Sequence, residues 1–236
     1  MNHENCCQGS PGATEEPVAE GLIVPALTPF GPDGDFEPGA YEGHIDWLHR
    51  QGVRRILVGG TTGEFFSMTT DERLDVLKVA LEGFPGLAFF QVGSTALPTT
   101  LRLAGEAEDL GADGVFCLPP FYFRDVPDEG LVGYMRAIGE RIGIPLILYN
   151  FSRNAGVRFT PEVLEQIEHF GMKDSSADLS LIGSTPRYFL GGDQKILAAS
   201  REGAHGFVSG MANVCPGPYV HLEAALAEEL WDLAEE

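Results

Sequence analysis

The organisation of this chain is visible in Arg55-Ile56-Leu57-Val58-Gly59-Gly60-Thr61-Thr62-Gly63-Glu64, a short apolar run that passes into a glycine-rich loop. An amphipathic helical pattern follows at about 69–83. A continuous apolar run is typical of a strand that is buried on both faces, as in parallel sheets covered by helices. The stretch therefore predicts one strand, loop and helix in that order.

The same unit recurs along the chain. Eight short apolar or β-branched runs are predicted strands: residues 22–27, 55–58, 88–92, 114–118, 145–149, 171–173, 188–190 and 206–209. Helical patterns occur at about 38–51, 69–83, 97–110, 127–141, 160–168, 195–203 and 218–235. Eight units favour an α/β fold of the closed (β/α)8 TIM barrel type, and an open doubly wound sheet is the alternative. The sixth unit is the weakest, because residues 177–183 leave room for only a stub of helix.

The charge of the chain excludes broad classes of partner. Fifteen basic residues against 35 acidic residues give a formal net charge of −20 at pH 7. A surface of this sign repels nucleic acid and anionic membranes, so we predict neither as a partner. An anionic ligand must be held by local donors.

One catalytic domain is predicted behind a short leader. Residues 1–19 are rich in Gly, Pro, Glu and Asn without periodicity and are expected to be disordered, and residues 20–236 are assigned to the barrel. No apolar run approaches the roughly 18 residues that span a bilayer, and the N-terminus lacks the order of a signal peptide. A cytoplasmic protein is therefore expected.

Lys173 is the candidate nucleophile. It follows the apolar run Phe170-Gly171-Met172, whereas Lys78 and Lys195 lie in an amphipathic helical pattern and in a loop that enters a helix. A lysine flanked by apolar residues loses hydration, which disfavours its ammonium form and leaves the free amine available to attack a carbonyl. The alternative is a lysine at a strand end that reaches water past Asp174.

Other segments are expected to meet Lys173, because a TIM barrel builds its site at the carboxyl ends of the strands. They are residues 59–64, 119–124, 149–150, 191–193 and 210–213. The amides and hydroxyls of residues 59–64 suit a carboxylate, although glycines after a strand also serve as plain turn residues. Tyr149 and Tyr122 are candidate proton-transfer groups, or aromatic residues that pack or keep the hydroxyl in water. The histidines show no pair at ligand spacing, so no metal is predicted.

The order of these motifs resembles a known family. A Gly-Thr-Thr-Gly-Glu loop at 60–64 is followed by Pro-Phe-Tyr at 120–122, Leu-Tyr-Asn at 148–150, Gly-Met-Lys-Asp at 171–174 and Gly-Gly-Asp at 191–193. From about residue 21 onward, the chain is similar to the dihydrodipicolinate synthase/N-acetylneuraminate lyase family, which includes 2-keto-3-deoxygluconate aldolases. The resemblance implies a TIM barrel and pyruvate chemistry through a lysine imine, without a cofactor.

The resemblance also implies a role for each matching residue. Lys173 is expected to form a Schiff base with the keto group of pyruvate or another 2-oxo acid, and Tyr149 and Thr61 to relay protons. Tyr122 is expected to complete the relay from a neighbouring subunit, so a homo-oligomer, either a dimer or a tetramer, is predicted. The residues implied to bind substrate are Gly60, Thr62, Gly192 and Val208.

Two departures from the family pattern bear on substrate and assembly. Members that make dihydrodipicolinate usually carry an arginine where this chain has Asn154, and Arg153 is one position early. If the segment is extended, Arg153 points away from the site when Asn154 faces it. Arg124 is then the cation placed to meet the far end of a longer sugar acid. The chain is also expected to lack the family's usual C-terminal helical extension.

The leading hypothesis is a class I, pyruvate-dependent aldolase or lyase with pyruvate and an aldehyde as its small-molecule partners. Its substrate is expected to be a 2-keto-3-deoxy sugar acid or a similar 4-hydroxy-2-oxo acid. The alternative is dihydrodipicolinate synthase, which condenses pyruvate with an aldehyde. Further hypotheses are a dehydratase of keto-deoxy acids, a non-catalytic oxo-acid-binding barrel, and a barrel that holds phosphate on its glycine loops.

Overall fold

The computed structural model describes residues 20–234, whose eight parallel strands close into a barrel. The strands are β1 (Gly21–Pro25), β2 (Arg55–Val58), β3 (Leu87–Gln91), β4 (Gly114–Cys117), β5 (Leu146–Asn150), β6 (Gly171–Asp174), β7 (Tyr188–Gly191) and β8 (Gly206–Val208). Each strand pairs with the next, and β8 pairs with β1. The predicted TIM barrel is therefore confirmed, and the open sheet is excluded. The predicted leader, residues 1–19, lies outside the described residues.

The helices lie between the strands, close to their predicted positions. They are α1 (Pro38–Arg50), α2 (Thr70–Gly83), α3 (Leu97–Leu110), α4 (Asp128–Gly139), α5 (Ser152–Ala155), α6 (Pro161–Leu164), α7 (Ile196–Arg201), α8 (Pro216–Ala227) and α9 (Trp231–Ala234). The start of α2 follows from local sequence, because Thr69 and Glu72 form a capping box. Within residues 20–234, these helices are too short or too polar to cross a membrane.

The second half of the barrel departs from the predicted helices. The helix expected at about 160–168 is the short α6, because the hydrogen bonds that follow it have the tighter i to i−3 spacing. The helix expected at about 218–235 is divided into α8 and α9, and Glu229 between them adopts a left-handed φ of 55°. The sixth unit carries a 3₁₀ helix at Leu179–Ser184, in agreement with the predicted stub.

The barrel interior positions the candidate site. Seven strands each contribute one side chain to its hydrophobic core: Ile23, Leu57, Phe89, Phe116, Ile147, Phe189 and Val208. Successive side chains of a strand point to opposite faces, so the next inward position of each strand lies nearer its carboxyl end. Tyr149 follows Ile147 by two residues, and Lys173 pairs with both Tyr149 and Phe189. The side chains of Lys173 and Tyr149 therefore lie directly above the interior core.

Candidate active site

Lys173 and Tyr149 lie side by side at the carboxyl end of the barrel. They are paired residues of β6 and β5, and both side chains point inward. Lys173 is 5% exposed and Tyr149 is 2% exposed. The Lys173 Nζ atom lies 3.9 Å from the centroid of the Tyr149 ring. The alternatives of a solvated lysine and a solvated strand-end phenol are therefore wrong.

The Tyr149 phenol is surrounded by groups that stabilise its ionised form. Burial raises the pKa of Tyr149, but the charge of Lys173 and side-chain hydrogen bonds with Thr61, Lys173 and Ser175 oppose that effect and leave the pKa below its ordinary value. The Thr61 Oγ1 atom lies 3.2 Å from the Tyr149 hydroxyl. The phenol can therefore release its proton more readily than a free tyrosine.

The loop of residues 59–64 is fixed by close backbone packing. Thr28 Oγ1 donates a hydrogen bond to the Gly63 carbonyl oxygen at 2.8 Å. A Cβ atom on Gly63 would lie 2.8 Å from the Ala26 carbonyl oxygen, so only glycine allows this approach of β1 and the loop. Gly59 takes a left-handed φ of 60°, which also favours glycine. These glycines determine the shape of the loop that carries Thr61 and Thr62, so they do more than form a turn.

Four predicted substrate-binding residues surround the same opening. The Thr62 hydroxyl oxygen would lie 3.7 Å from a Cβ atom built on Gly210, so the loops after β2 and β8 meet. Gly60 is buried beside Thr62, and Val208 belongs to the interior core. Gly192 is exposed, and its N–H donates to the Val208 carbonyl oxygen at 3.2 Å. The structure thus brings Gly60, Thr62, Val208 and Gly192 to the end of the barrel that holds Lys173.

Tyr122 and Arg124 lie on the exposed loop between β4 and α4. Tyr122 is 83% exposed and has a left-handed φ of 83°, so its own barrel does not bury it against Tyr149. Arg124 is exposed and lies over the turn after β5, where a Cβ atom on Gly156 would be 3.1 Å from its Cγ atom. The predicted roles of both residues toward substrate stay predictions.

The segment after Tyr149 is helical, so the prediction of an extended segment is wrong. Residues Ser152–Ala155 form α5, and Gly156 ends it with a left-handed φ of 75°. Arg153 and Asn154 are both exposed on this turn. Consecutive helical residues do not point in opposite directions, so the argument that Arg153 must face away from the site no longer holds.

Ser175 is the residue of the site that sequence reasoning missed. Its hydroxyl oxygen would lie 2.3 Å from a Cβ atom on Gly191, so it sits over the end of β7, and its hydrogen bond with Tyr149 helps to lower the phenol pKa. The available signal was the period of two, because Ser175 follows Lys173 by two residues. A further buried group, Asp174, lies on the opposite face of β6.

Comparisons with known proteins show the family of this chain. Residues 18–236 match the model of the dihydrodipicolinate synthetase family. The 4-hydroxy-tetrahydrodipicolinate synthase of Exiguobacterium sp. is 32% identical over 224 residues, covering 89% of this chain and 76% of that protein.

Solved structures show the same likeness. The chloride-inhibited dihydrodipicolinate synthase from Acinetobacter baumannii complexed with pyruvate is 27% identical, with a TM-score of 0.86 and coverage of 92% of this chain and 78% of that chain. A variant of the Sulfolobus solfataricus 2-keto-3-deoxygluconate aldolase is 28% identical, with a TM-score of 0.84 and coverage of 91% and 75%. The chain belongs to the dihydrodipicolinate synthetase family, whose members are lyases and aldolases.

Proposed function

We propose that the chain is a class I aldolase that cleaves 2-keto-3-deoxy sugar acids, or similar 4-hydroxy-2-oxo acids, through a Schiff base on Lys173. The observation that carries this proposal is the buried pair of Lys173 and Tyr149, with the amine 3.9 Å from the ring centroid and the phenol 3.2 Å from Thr61 Oγ1. An amine that can attack a ketone and a phenol that can move a proton thus share one small volume.

The reaction begins when the free amine of Lys173 attacks C2 of the 2-oxo acid. Loss of water takes up a proton from the Tyr149 phenol, which gives a protonated imine and leaves Tyr149 as the phenolate. The protonated imine is an electron sink. The Tyr149 phenolate takes the proton of the C4 hydroxyl, the C3–C4 bond breaks, and its electrons move to the imine nitrogen. The aldehyde leaves and an enamine remains. The Tyr149 phenol then protonates C3. Hydrolysis of the protonated imine releases pyruvate, restores the amine and returns its proton to the Tyr149 phenolate.

The substrate carboxylate is assigned to the loop of residues 59–64. The Thr62 hydroxyl and the Gly60 amide are its donors, and Gly192 and Val208 line the other side of the opening. Local donors are needed because the chain carries a formal net charge of −20, which opposes the approach of an anion. Binding the carboxylate beside Thr61 orients the keto carbon toward the Lys173 amine.

The preference for a sugar acid rests on Asn154. A semialdehyde that carries its own carboxylate is held best by a guanidinium, which binds bidentately, whereas an asparagine is a neutral donor.

Dihydrodipicolinate synthase is the second candidate. It is favoured by Arg153, which is exposed on the helical turn α5 beside Asn154. Because this turn is not a strand, the Arg153 side chain does not have to point away from the site when Asn154 faces it. A shift of about one residue in the turn would bring this guanidinium to the position of Asn154.

Tyr122 is assigned to the active site of a second copy of the chain. Tyr122 is 83% exposed, Phe123 is 54% exposed and Phe66 is 60% exposed. The loops that carry them touch through Phe65 and Phe121, whose ring centroids are 5.7 Å apart. An exposed aromatic patch of this kind is typical of an interface, and a homo-oligomer would cover it.

Trapping of the imine tests the proposed function. Incubation with pyruvate and borohydride is expected to add a reduced pyruvyl group to the peptide that contains Lys173, and Lys173→Ala is expected to abolish it. Lys78→Ala is the matched control, because Lys78 is exposed and paired with Asp75 at 2.8 Å. An adduct on Lys78 or Lys195, or no adduct, contradicts the mechanism.

A substrate panel then separates the two candidates. Pyruvate release from 2-keto-3-deoxygluconate is expected, with condensation of pyruvate and aspartate semialdehyde at least about tenfold weaker in kcat/KM, the low end of the effect of losing one charge-assisted pair. Efficient condensation without sugar-acid cleavage would establish the synthase instead.

A further inference from the structure

Asp174 is a fully buried carboxylate that the proposed reaction does not use. It follows Lys173 on β6, so its side chain points to the opposite face of the strand, toward the helices. Among the described residues, five donors reach it. Asn150 Nδ2, Ser176 N and Ser176 Oγ donate to Oδ1 at 2.9, 2.9 and 2.6 Å, and Asp178 N and Tyr188 Oη donate to Oδ2 at 2.8 and 2.9 Å.

Two of these donors fix the strands on either side of Lys173. Asn150 follows Tyr149 on β5, and Tyr188 precedes Phe189 on β7. The pairs Tyr149 with Lys173 and Lys173 with Phe189 are therefore held in register by one carboxylate behind them. The short distance between the Lys173 amine and the Tyr149 ring depends on this register.

The other three donors fix the loop that carries Ser175. They are the Ser176 N–H, the Ser176 hydroxyl and the Asp178 N–H, and they turn the loop back over the end of β6. Ala177 within the loop has a left-handed φ of 54°, a conformation that a non-glycine residue adopts at a cost and that these bonds compensate. The Ser175 N–H also donates to the Asn150 carbonyl oxygen at 2.8 Å. The Ser175 hydroxyl is thereby held over Gly191 and toward Tyr149.

We infer that Asp174 is a positioning residue for proton transfer. It acts through Ser175 and Asn150 and holds the Tyr149 hydroxyl next to the substrate carbons of the imine. It touches neither substrate nor imine. The inference rests on the proposed function, because the proposed reaction is what assigns proton transfer to Tyr149. In this role one carboxylate outside the barrel interior controls the rate of proton transfer, and it does not control formation of the imine.

Asp174→Asn is the test. An amide keeps the shape of the side chain but has one acceptor oxygen, and its NH2 group faces either the three donors on the Oδ1 side or the two on the Oδ2 side. The Ser176 and Tyr188 hydroxyls can accept from the NH2 group instead of donating, but N–H donors cannot, so the amide loses either the bond from Asp178 N or those from Asn150 Nδ2 and Ser176 N. Asp113→Asn is the matched control, since Asp113 Oδ2 accepts from the Ala88 N–H at 2.8 Å at the opposite end of the barrel.

The assay is exchange of the pyruvate methyl protons with D2O, followed by NMR, because it needs the imine and the proton relay but no aldehyde. Asp174→Asn is expected to lower kcat for exchange about tenfold or more, with KM for pyruvate changed less than about threefold. Borohydride trapping on Lys173 is expected to be as complete as in the wild type. Asp113→Asn is expected to keep kcat even if its Tm falls.

Tyr188→Phe keeps the test valid if Asp174→Asn does not fold. It removes one donor to Asp174 and keeps the buried ring, so a smaller decrease in kcat, about threefold, is expected with trapping intact. Folded variants with wild-type kcat would show that Asp174 only stabilises the barrel and would overturn the inference. Loss of borohydride trapping would show that the substitution impairs imine formation on Lys173, and this result would also overturn the inference. A wild-type protein that traps no pyruvate refutes the proposed function itself.

Discussion

Replacement of Tyr149 by phenylalanine removes one oxygen from the centre of the site and leaves the buried ring in place. The hydroxyl lies 3.2 Å from Thr61 Oγ1, and the Lys173 amine lies 3.9 Å from the ring centroid. Without the phenol, the site has lost the group proposed to carry the proton between the C4 hydroxyl and C3. General acid–base groups contribute about 10²–10⁴ in rate, so kcat is expected to fall by about 10² or more.

The same substitution is expected to have a small effect on stability. The phenylalanine ring still fills its space, so no core cavity forms. The hydrogen bond to Thr61 and the interactions of the hydroxyl with Lys173 and Ser175 are lost, and because Thr61 is partly exposed, water can replace its missing partner. The expected decrease in the free energy of unfolding is about 1 kcal/mol, equivalent to about 2–4 °C in Tm for a chain of this size.

Exchange of the pyruvate methyl protons in D2O measures the effect without knowledge of the aldehyde, and borohydride trapping reports the imine separately. Tyr149→Phe is expected to lose exchange and to retain trapping. Tyr219→Phe, on α8, is the matched control and is expected to retain both. Exchange by Tyr149→Phe within about threefold of the wild-type rate would refute the assignment of Tyr149 as the proton-transfer group.

Two other predictions follow from the surroundings of the phenol. Thr61→Val removes a hydrogen bond that lowers the pKa of Tyr149, so the pKa is expected to rise toward its ordinary value and the rise of kcat with pH to move to higher pH. The variant is expected to be several-fold slower near neutrality and to recover at high pH, and an unchanged pH profile would contradict this. Tyr122→Phe is expected to lower exchange about tenfold without a change in Tm, because Tyr122 is 83% exposed in the single chain. Light scattering is expected to show an oligomer, and a fully active monomer would remove Tyr122 from the proposed site.

Most of the fold could be predicted from sequence because its signals are local. A strand buried on both faces needs a continuous apolar run, and a covering helix needs an apolar stripe of period 3.6, so the eight strands and the first four helices are visible in the chain. Lys173 could be singled out because it is the lysine set within an apolar run. The carboxyl ends of parallel strands meet at one face, which brings Tyr149 and residues 59–64 to Lys173.

The tertiary structure alone decided features that depend on contacts between distant segments. Arg73 lies on the amphipathic helix α2, yet it is only 5% exposed, because its guanidinium donates to the Gln91 and Gly93 carbonyl oxygens at the end of β3 and packs on the Phe65 ring. The 3.6-residue periodicity of a helix in the sequence cannot show which of its polar side chains will be buried by hydrogen bonds to another helix or strand.

The environment of Lys173 and Tyr149 is also a tertiary property. In the sequence, Asp174 is only a polar residue at the end of an apolar run. Its burial requires hydrogen-bond donors from both neighbouring strands, and β5 and β7 provide them because they flank β6 in the barrel. The helical turn after Tyr149 was missed for a related reason, because Phe151 stacks on the Tyr149 ring at 5.9 Å and fixes the direction of the chain there. The sequence by itself determined the order of the strands and singled out Lys173 as the candidate nucleophile, and the packing between strands decided how the Tyr149 phenol beside it is held.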